Sequence, residues 1–382
     1  MMMLPDRSSE VSMLTRRGFG GIGLATLAGR MLPEVAYAQR AAVHGTLPND
    51  MVWLNANENP DGPPASSIAA MTNVLPESWR YHYQEFGAFY AALAHGEDLA
   101  PEQILVGSGS SEILHAAVEA FSSATRPLIT VAPTYEGPVD VAAASGHTVV
   151  RIPLEPPYVP DLRKLVAEAE KAGGGLIYLC NPNNPTSTVV PKKDLAWMIS
   201  NLPPNTVVLI DEAYIHFGDT PELASALGYV RQGKNVVVTR TFSKIYGMAG
   251  LRAGFGCAPP QLIAKMAPFR NNVISIVTVR AVLAAIAEGN PLVQQRRTRL
   301  IRTRRELLNW LREREITFIE PQANFLMIDV RRDAREFIFN MPPKGVAVGR
   351  PFPPMDNFLR VTIGTDRDMA RFREVFWSLY RA

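Results

Sequence analysis

Thr241-Phe242-Ser243-Lys244-Ile245-Tyr246-Gly247-Met248-Ala249-Gly250-Leu251-Arg252 follows Asn235-Val236-Val237-Val238-Thr239, a β-branched run that reads as a buried strand. A lysine just past a buried strand is a poor choice for a core and a good one for a site. Hydroxyls at Thr241 and Ser243 and a cation at Arg252 surround it, and Gly247 and Gly250 let backbone come close. Such a cluster suits a dianionic phosphate held beside an amine. Spacing alone leaves open a solvated lysine in a polar loop, so the rest of the chain has to decide.

Moving upstream, short apolar runs alternate with helical periods. Strands are expected at Ile104–Val106, Leu128–Val131, Thr148–Ile152, Leu176–Cys180, Val207–Ile210, Val236–Thr239 and Leu251–Cys257. Helices are expected between them at Ser111–Phe121, Tyr135–Ala144, Leu162–Lys171, Lys192–Ile199, Pro221–Leu227 and Pro260–Pro268. Two more, Ser66–Val74 and Phe86–Ala94, flank the aromatic loop Arg80-Tyr81-His82-Tyr83. This alternation predicts an α/β fold: a three-layer α/β/α domain around a mostly parallel seven-stranded sheet, with its ligand site beyond the carboxyl ends of the strands.

What stands at those ends has a common character. The first strand runs into Gly107-Ser108-Gly109-Ser110-Ser111-Glu112, small residues opening a helix whose free N–H groups suit phosphate, although helix capping gives similar letters. Ala132-Pro133-Thr134-Tyr135 offers an aromatic ring that either stacks on a flat heterocycle or simply packs. Asn181-Pro182-Asn183-Asn184-Pro185-Thr186 is an extended, turning loop that presents amides. Asp211-Glu212-Ala213-Tyr214 puts an acid after four apolar residues, costly without a cationic partner; a protonated pyridine nitrogen is one such partner.

Downstream of residue 278 the composition shifts. Thr278–Glu288 and Gln294–Arg314 read as long helices, the second rich in arginine with scattered glutamate, most simply a solvated face with ion pairs. Short strands at Ile316–Ile319, Phe325–Ile328, Val346–Val348 and Leu359–Ile363, with helices at Ala334–Phe339 and Arg367–Tyr380, form a smaller α+β domain. The domain plan is therefore an arm over 39–63, a large domain over 64–285 and a small one over 286–382.

The beginning of the chain differs in kind. Thr15-Arg16-Arg17-Gly18-Phe19-Gly20 precedes a small-residue apolar run and then Ala36-Tyr37-Ala38. The order of arginine pair, apolar run and cleavage pattern over 1–38 is that of a twin-arginine signal peptide, which implies a periplasmic protein exported already folded. The apolar run is too short and glycine-rich for a stable membrane anchor. The remaining composition excludes other classes. A chain of 382 residues, 47% hydrophobic and 20% charged, buries a large core. A net charge of +3 without a basic stripe gives no footprint for nucleic acid. Cys180 and Cys257 sit at apolar, strand-like positions, with neither disulfide framework nor metal spacing.

In chain order, Asn55–Pro60, Arg80-Tyr81, Gly107–Glu112, Asn181–Thr186, Asp211–Tyr214, Thr241–Arg252 and Leu359-Arg360-Val361-Thr362-Ile363-Gly364 resemble the fold-type I, class I/II aminotransferases that use pyridoxal 5'-phosphate. The resemblance spans nearly all of the chain after residue 38 and is closest to the histidinol-phosphate aminotransferase branch. It implies that Lys244 binds the cofactor covalently as a Schiff base and then shuttles a proton at the substrate Cα, with a pKa lowered by its surroundings. It implies that Asp211 pairs with the pyridine nitrogen, that Asn184 and Tyr214 hold the ring's 3′ oxygen, and that Tyr135 stacks on the ring. Ser110, Ser111, Thr241, Ser243 and Arg252 would hold the phosphate, joined by Tyr81 from the neighbouring subunit of a homodimer. Arg360 would grip the substrate carboxylate, with Asn324 and Asn57 nearby, and Arg350 is similar to a substrate-phosphate arginine.

The chain departs from the branch at Ser187, where glycine is usual after Asn-Pro-Thr, at His82, where proline is usual after the tyrosine, and in the proline-rich, aromatic segment Pro351-Phe352-Pro353-Pro354-Met355-Asp356. These changes and the leader put the substrate in question while leaving the cofactor residues intact. Amino-group transfer from an amino acid or amine, histidinol-phosphate-like or aromatic, to a 2-oxo acid such as 2-oxoglutarate is the implied reaction. A lyase or decarboxylase on the same cofactor, and a non-catalytic exported binding protein, are the alternatives left open.

Overall fold

The computed structural model describes residues 50–270 and 273–381. Residues 1–38, the expected signal peptide, lie outside them, as does most of the lead-in to the arm. The strands in chain order are β1 (Val52–Leu54), β2 (Ile104–Ser108), β3 (Leu128–Ala132), β4 (Val149–Pro153), β5 (Gly175–Cys180), β6 (Thr206–Asp211), β7 (Val236–Thr241), β8 (Ala253–Cys257), β9 (Phe325–Asp329), β10 (Val346–Val348) and β11 (Phe358–Thr362).

Seven of these form one sheet in the order β2-β8-β7-β6-β5-β3-β4. Only β8 runs against its neighbours; the others are parallel. Every residue of β5, β6 and β7 is buried, because helices cover both faces and leave no side for polar residues. Side chains alternate between the faces. Leu176, Tyr178, Leu209 and Val237 belong to one core cluster, Ile177, Leu179, Val208, Ile210, Val236 and Val238 to the other.

The sheet register brings the site's pieces together. Ser108 of β2 stands opposite Ala253 of β8, and Thr241 of β7 stands opposite Gly254. The end of β2, the end of β7 and the start of β8 therefore meet at one edge. Cys180 pairs with Asp211, and Asp211 with Thr239, so the acid lies beside them at the same end. Neither Gly109 nor Gly254 can be replaced there. A Cβ on Gly109, whose φ is +81°, would lie 2.3 Å from the Arg252 guanidinium, and one on Gly254 would lie 2.1 Å from the Ser110 nitrogen.

Several expectations are corrected. Pro221–Leu227 is not a helix; the helix there is Leu227–Arg231. The preceding backbone finds side-chain acceptors instead: Glu212 Oε1 takes the Ala226 N–H at 2.6 Å, and Gln322 Oε1 takes those of Asp219 and Thr220 at 2.8 and 3.2 Å. Ile316–Ile319 contributes only an isolated bridge, Phe318 to Ile328. The two long helices are present as expected: the run Ile276–Arg312 divides at Gly289 (φ 65°, ψ −152°), just before Pro291. The first half of that run is apolar enough to cross a membrane by composition, yet Val279, Ala281, Val282 and Ala285 are buried in the protein's core, and Ser67 Oγ reaches the Ala281 carbonyl at 2.7 Å. The arginine-rich half is not simply a solvated face. Arg296 is buried and donates to the Ile245 and Gly62 carbonyls at 3.0 and 2.8 Å, and Arg304 is buried against Asp219 at 2.9 Å and the Phe217 and Ala323 carbonyls.

The arm is ordered, as its turn-rich letters suggest. β1 pairs in parallel with β10, Val52 opposite Val346 and Leu54 opposite Val348. β9 and β11 pair antiparallel, which places Arg360 opposite Met327. The arm, the Lys244 loop and the C-terminal strands thus converge.

Candidate active site

A cavity of about 190 Å³ opens at the carboxyl ends of β6 and β7. Ser110, Ser111, Tyr135, Asp211, Ala213, Tyr214, Thr241, Ser243, Lys244, Ala249 and Arg252 line it. Every residue that the sequence reading placed around ring, aldehyde and phosphate is here, apart from Asn184 in the adjoining layer and Tyr81.

One end of the cavity is built for an anion. The helix Ser110–Phe121 begins at Gly109 and directs its N-terminus into the cavity through Ser110 and Ser111. Thr241 Oγ1 lies 2.9 Å from Ser243 Oγ and accepts the Ser243 N–H at 3.1 Å. Arg252, in the left-handed region at φ 54°, is held by the Ala249 carbonyl at 3.0 Å and reaches Ser243 Oγ at 3.4 Å. Hydroxyls, a helix N-terminus and a guanidinium together match a phosphate dianion.

Asp211 is the opposite pole. It is 3% exposed, and its Oδ1 accepts from Thr239 Oγ1 at 2.9 Å and from the Ala213 N–H at 3.2 Å. Burial pushes its carboxyl up from 3.8 to about 6, and these two donors together with the Lys244 charge offset only part of the cost. A buried acid held by neutral donors calls for a cation in the cavity.

Lys244 is partly buried and donates to the Asn57 and Ala56 carbonyls at 3.0 and 3.2 Å. Burial first, then the Arg360 and Arg252 charges, bring its amine down from 10.5 to about 8. About a tenth of it is therefore neutral and nucleophilic at pH 7, far more than of an ordinary lysine. Its Nζ lies 5.6 Å from the centre of the Tyr214 ring. Burial drives the Tyr214 hydroxyl far above its ordinary 10, so it stays protonated and able to donate.

A second layer joins the arm to the C-terminal strands. Asn57, at φ 54°, donates from its backbone to Thr362 Oγ1 at 3.0 Å and from Nδ2 to Tyr214 Oη at 3.2 Å. Its carbonyl takes Lys244, and also the Asn324 amide at 3.1 Å. Asn324 Oδ1 is buried without a hydrogen-bond partner, an acceptor left for a ligand donor. Arg360 Nη1 donates to Asn184 Oδ1 at 2.8 Å and Nη2 to the Asn55 carbonyl at 2.7 Å, and its guanidinium stacks 4.7 Å over Phe352. It faces inward from β11 and is buried rather than solvated on the outer face of its strand.

Two expected residues stand apart. Tyr81 is 70% exposed and stacks on the exposed Tyr83 ring at 5.2 Å, outside the cavity of its own chain. Arg350 is ion-paired with Glu136 and lies 4.3 Å over Phe352. The sequence reading missed Thr239, Phe352, Glu136 and Thr362 as parts of the site. Thr239 carried a legible signal, a hydroxyl closing the β-branched run of β7, where it pairs directly with Asp211; the others act across long separations that no local pattern encodes. Ser187 occupies the left-handed region at φ 62°, and its Oγ accepts the Ala323 and Gln322 N–H groups at 2.8 and 3.0 Å. It ties the Asn184 loop to the segment carrying Asn324.

The residues fit pyridoxal phosphate: a nucleophilic lysine, a buried acid lacking a cation and an anion cradle share one cavity. Comparison with known proteins points the same way. The model for aminotransferase class I and II matches residues 49–376. A histidinol-phosphate aminotransferase of Symbiobacterium thermophilum is 35% identical over 330 residues, 85% of this chain and 90% of that protein. An aromatic amino acid aminotransferase of Cutibacterium acnes is 31% identical over 294 residues, 76% of this chain and 81% of that protein. The solved histidinol-phosphate aminotransferase of Sinorhizobium meliloti, in complex with pyridoxal-5'-phosphate, matches with TM-score 0.81 at 24% identity, covering 93% of this chain and 99% of that one, a likeness of fold.

Proposed function

The chain belongs to the class I and II aminotransferases, and from that membership we propose how its own residues carry out the transfer. It is a pyridoxal-phosphate-dependent transaminase moving an amino group between an amino donor and a 2-oxo acid. The cofactor, when bound, supplies an electron sink for the charge that develops at the substrate Cα.

Lys244 holds the cofactor and then moves a proton at the substrate Cα, the work suited to an amine brought down to about 8. Asp211 keeps a proton on the ring nitrogen through its buried carboxylate. Tyr214 and Asn184 would hold the ring's 3′ oxygen, and Tyr135 would pack against the ring. Ser110, Ser111, Thr241, Ser243 and Arg252 hold the phosphate. Arg360, preset by Asn184 and the Asn55 carbonyl, takes the substrate carboxylate. Asn57 positions Lys244 and Tyr214, and Asn324 meets the substrate. The donor is an amino acid or amine, histidinol-phosphate-like or aromatic.

The observation that carries this is the single cavity shared by Lys244, Asp211 and the anion cradle. Purified protein is expected to be yellow, with colour bleached by borohydride. Lys244→Ala is expected to abolish transfer from any donor to 2-oxoglutarate while leaving the chain folded. A Lys244→Ala protein that still transfers the amino group sinks the assignment. Release of carbon dioxide or ammonia without a new amino acid would instead mark a decarboxylase or lyase.

Three further readings accompany it. The enzyme is a homodimer in which Tyr81 reaches the partner's phosphate; the exposed Trp79, Tyr81 and Tyr83 beside one another support this, and an active monomer in sedimentation would refute it. A large part over 64–285 and a small part over 286–382 divide near the helix break at Gly289, which limited proteolysis tests. Residues 1–38 export the folded protein to the periplasm. Loss of periplasmic enzyme on replacing Arg16 and Arg17 by lysine checks this, and unchanged export would count against it.

A further inference from the structure

Ser187 stands where the branch that this chain resembles carries glycine, and its surroundings give the extra hydroxyl a task. The side chain is fully buried, and its backbone, at φ 62°, lies in a turn closed by the Ser187 N–H on the Asn183 carbonyl at 2.7 Å. Its Oγ accepts two consecutive amides from far along the chain, Gln322 at 3.0 Å and Ala323 at 2.8 Å. The Ser187 carbonyl takes the Gln322 N–H as well, at 2.8 Å, whereas the Ala323 N–H meets only the hydroxyl. Ala323 is buried, so water does not stand in for that acceptor. Asn324 comes next, and β9 begins at Phe325. The Asn324 carbonyl takes the Ile363 N–H at 2.8 Å and β9 pairs with β11, so Arg360 moves with this segment. On the other side, Asn184 belongs to the Ser187 loop and receives Arg360 Nη1 at 2.8 Å. The hydroxyl therefore sets the spacing of two loops that hold Asn324 and Arg360, while Ser187 itself does not line the cofactor cavity.

We infer that Ser187 is a positioning residue that keeps the substrate-binding layer preformed in the empty enzyme. The inference rests on the transaminase reading above, which gives Arg360 and Asn324 to the substrate. With glycine at 187 the Ala323 N–H is left buried without its acceptor, and the segment escapes that cost by shifting. The layer is then correctly placed in only a fraction of the molecules, and the apparent affinity for substrate falls by that fraction. Once substrate is bound the layer is in place. Asp211 at the end of β6 and Lys244 in the loop after β7 lie outside the clasp, so the rate at saturation changes little. The hydroxyl thus raises affinity by preorganisation and not by touching substrate.

The test uses Ser187→Gly and Ser187→Ala, which both remove the hydroxyl, while only alanine keeps a side chain at positive φ. In the cofactor-free proteins, hydrogen exchange at the Ala323 amide is expected to quicken about tenfold in both variants. In the holoenzymes, bleaching of the yellow colour is followed in single turnovers with L-phenylalanine, histidinol phosphate, L-glutamate and L-alanine. For each donor that the unmodified enzyme accepts, the half-saturating concentration is expected to rise about tenfold in both variants, with the limiting rate within about twofold. A residue that only stabilises the fold would give a different order, with alanine worse than glycine and glycine close to the unmodified enzyme. Unchanged exchange at Ala323, an unchanged half-saturating concentration, a limiting rate that falls with the affinity, or an effect confined to the alanine variant overturns the inference. A holoenzyme that none of the four donors bleaches rejects the transaminase reading, while exchange at Ala323 still reports whether the hydroxyl holds the segment.

Discussion

Asp211→Asn separates the fold from the chemistry, because the acid harms the empty protein and serves the loaded one. Asp211 is buried, and its carboxyl is displaced from 3.8 to about 6. At about 1.4 kcal/mol per pH unit this corresponds to roughly 3 kcal/mol. Folding raises this pKa, so the folded chain holds the proton more tightly than the unfolded one. The stability from this group is full below pH 3.8 and is lost as pH rises through about 6. Without cofactor at pH 7 the wild-type chain therefore carries the whole cost. An asparagine keeps an acceptor for the Thr239 and Ala213 donors and carries no charge. The cofactor-free Asp211→Asn protein is expected to be more stable than wild type at pH 7, by up to about 3 kcal/mol, and the gap should close near pH 4. With cofactor the order reverses, since removing one partner of a buried ion pair costs about 3–5 kcal/mol. Cofactor affinity should then fall by roughly a hundredfold or more, with transfer activity lost alongside. Denaturant unfolding of both proteins, with and without cofactor, at pH 4.5 and 7 reads all four states. A cofactor-free variant less stable than wild type at pH 7, or a variant that binds cofactor as tightly as wild type, would refute the assignment of Asp211 to the ring nitrogen.

Two other outcomes follow from named contacts. The rate at which cofactor-free protein regains its colour with pyridoxal phosphate should rise with pH through a midpoint of about 8, where the Lys244 amine loses its proton, and a midpoint above 10 would mean that the site does not perturb the amine. Ser187→Ala should cost more stability than Ser187→Gly. Both lose the hydroxyl that takes the Ala323 and Gln322 N–H groups, about 1–3 kcal/mol, but alanine also keeps a side chain at positive φ, about 1 kcal/mol more; equal unfolding midpoints for the two would show that the backbone conformation contributes nothing.

The seven strands of the main sheet were legible to within about two residues, because a strand buried on both faces must be an unbroken apolar run and needs no partner to be recognised. The chemistry at their ends was legible for a related reason. A charged or hydroxyl residue after such a run is costly unless it has a task, so Asp211, Tyr214, Lys244 and Thr241 announce themselves by position. The failures were also physical. Pro221–Leu227 has helical letters, but Glu212 takes the Ala226 N–H and Gln322 the Thr220 N–H from elsewhere in the chain. Arginine-rich helix positions look solvated until the arm and the Lys244 loop bring carbonyls to Arg296.

Local order of apolar and polar residues thus determined the sheet, the cavity's position at the strand ends and most of the groups that line it. Only the folded chain decided how the arm closes on them. Asn57 meets Thr362 across 305 residues, β1 lies along β10, and Glu136 finds Arg350 across 214. Such contacts depend on where whole elements come to rest, and no period of two or 3.6 residues records that. The sequence alone therefore locates the amine and the acid at the strand ends, while the closing of the arm over them depends on contacts that exist only in three dimensions.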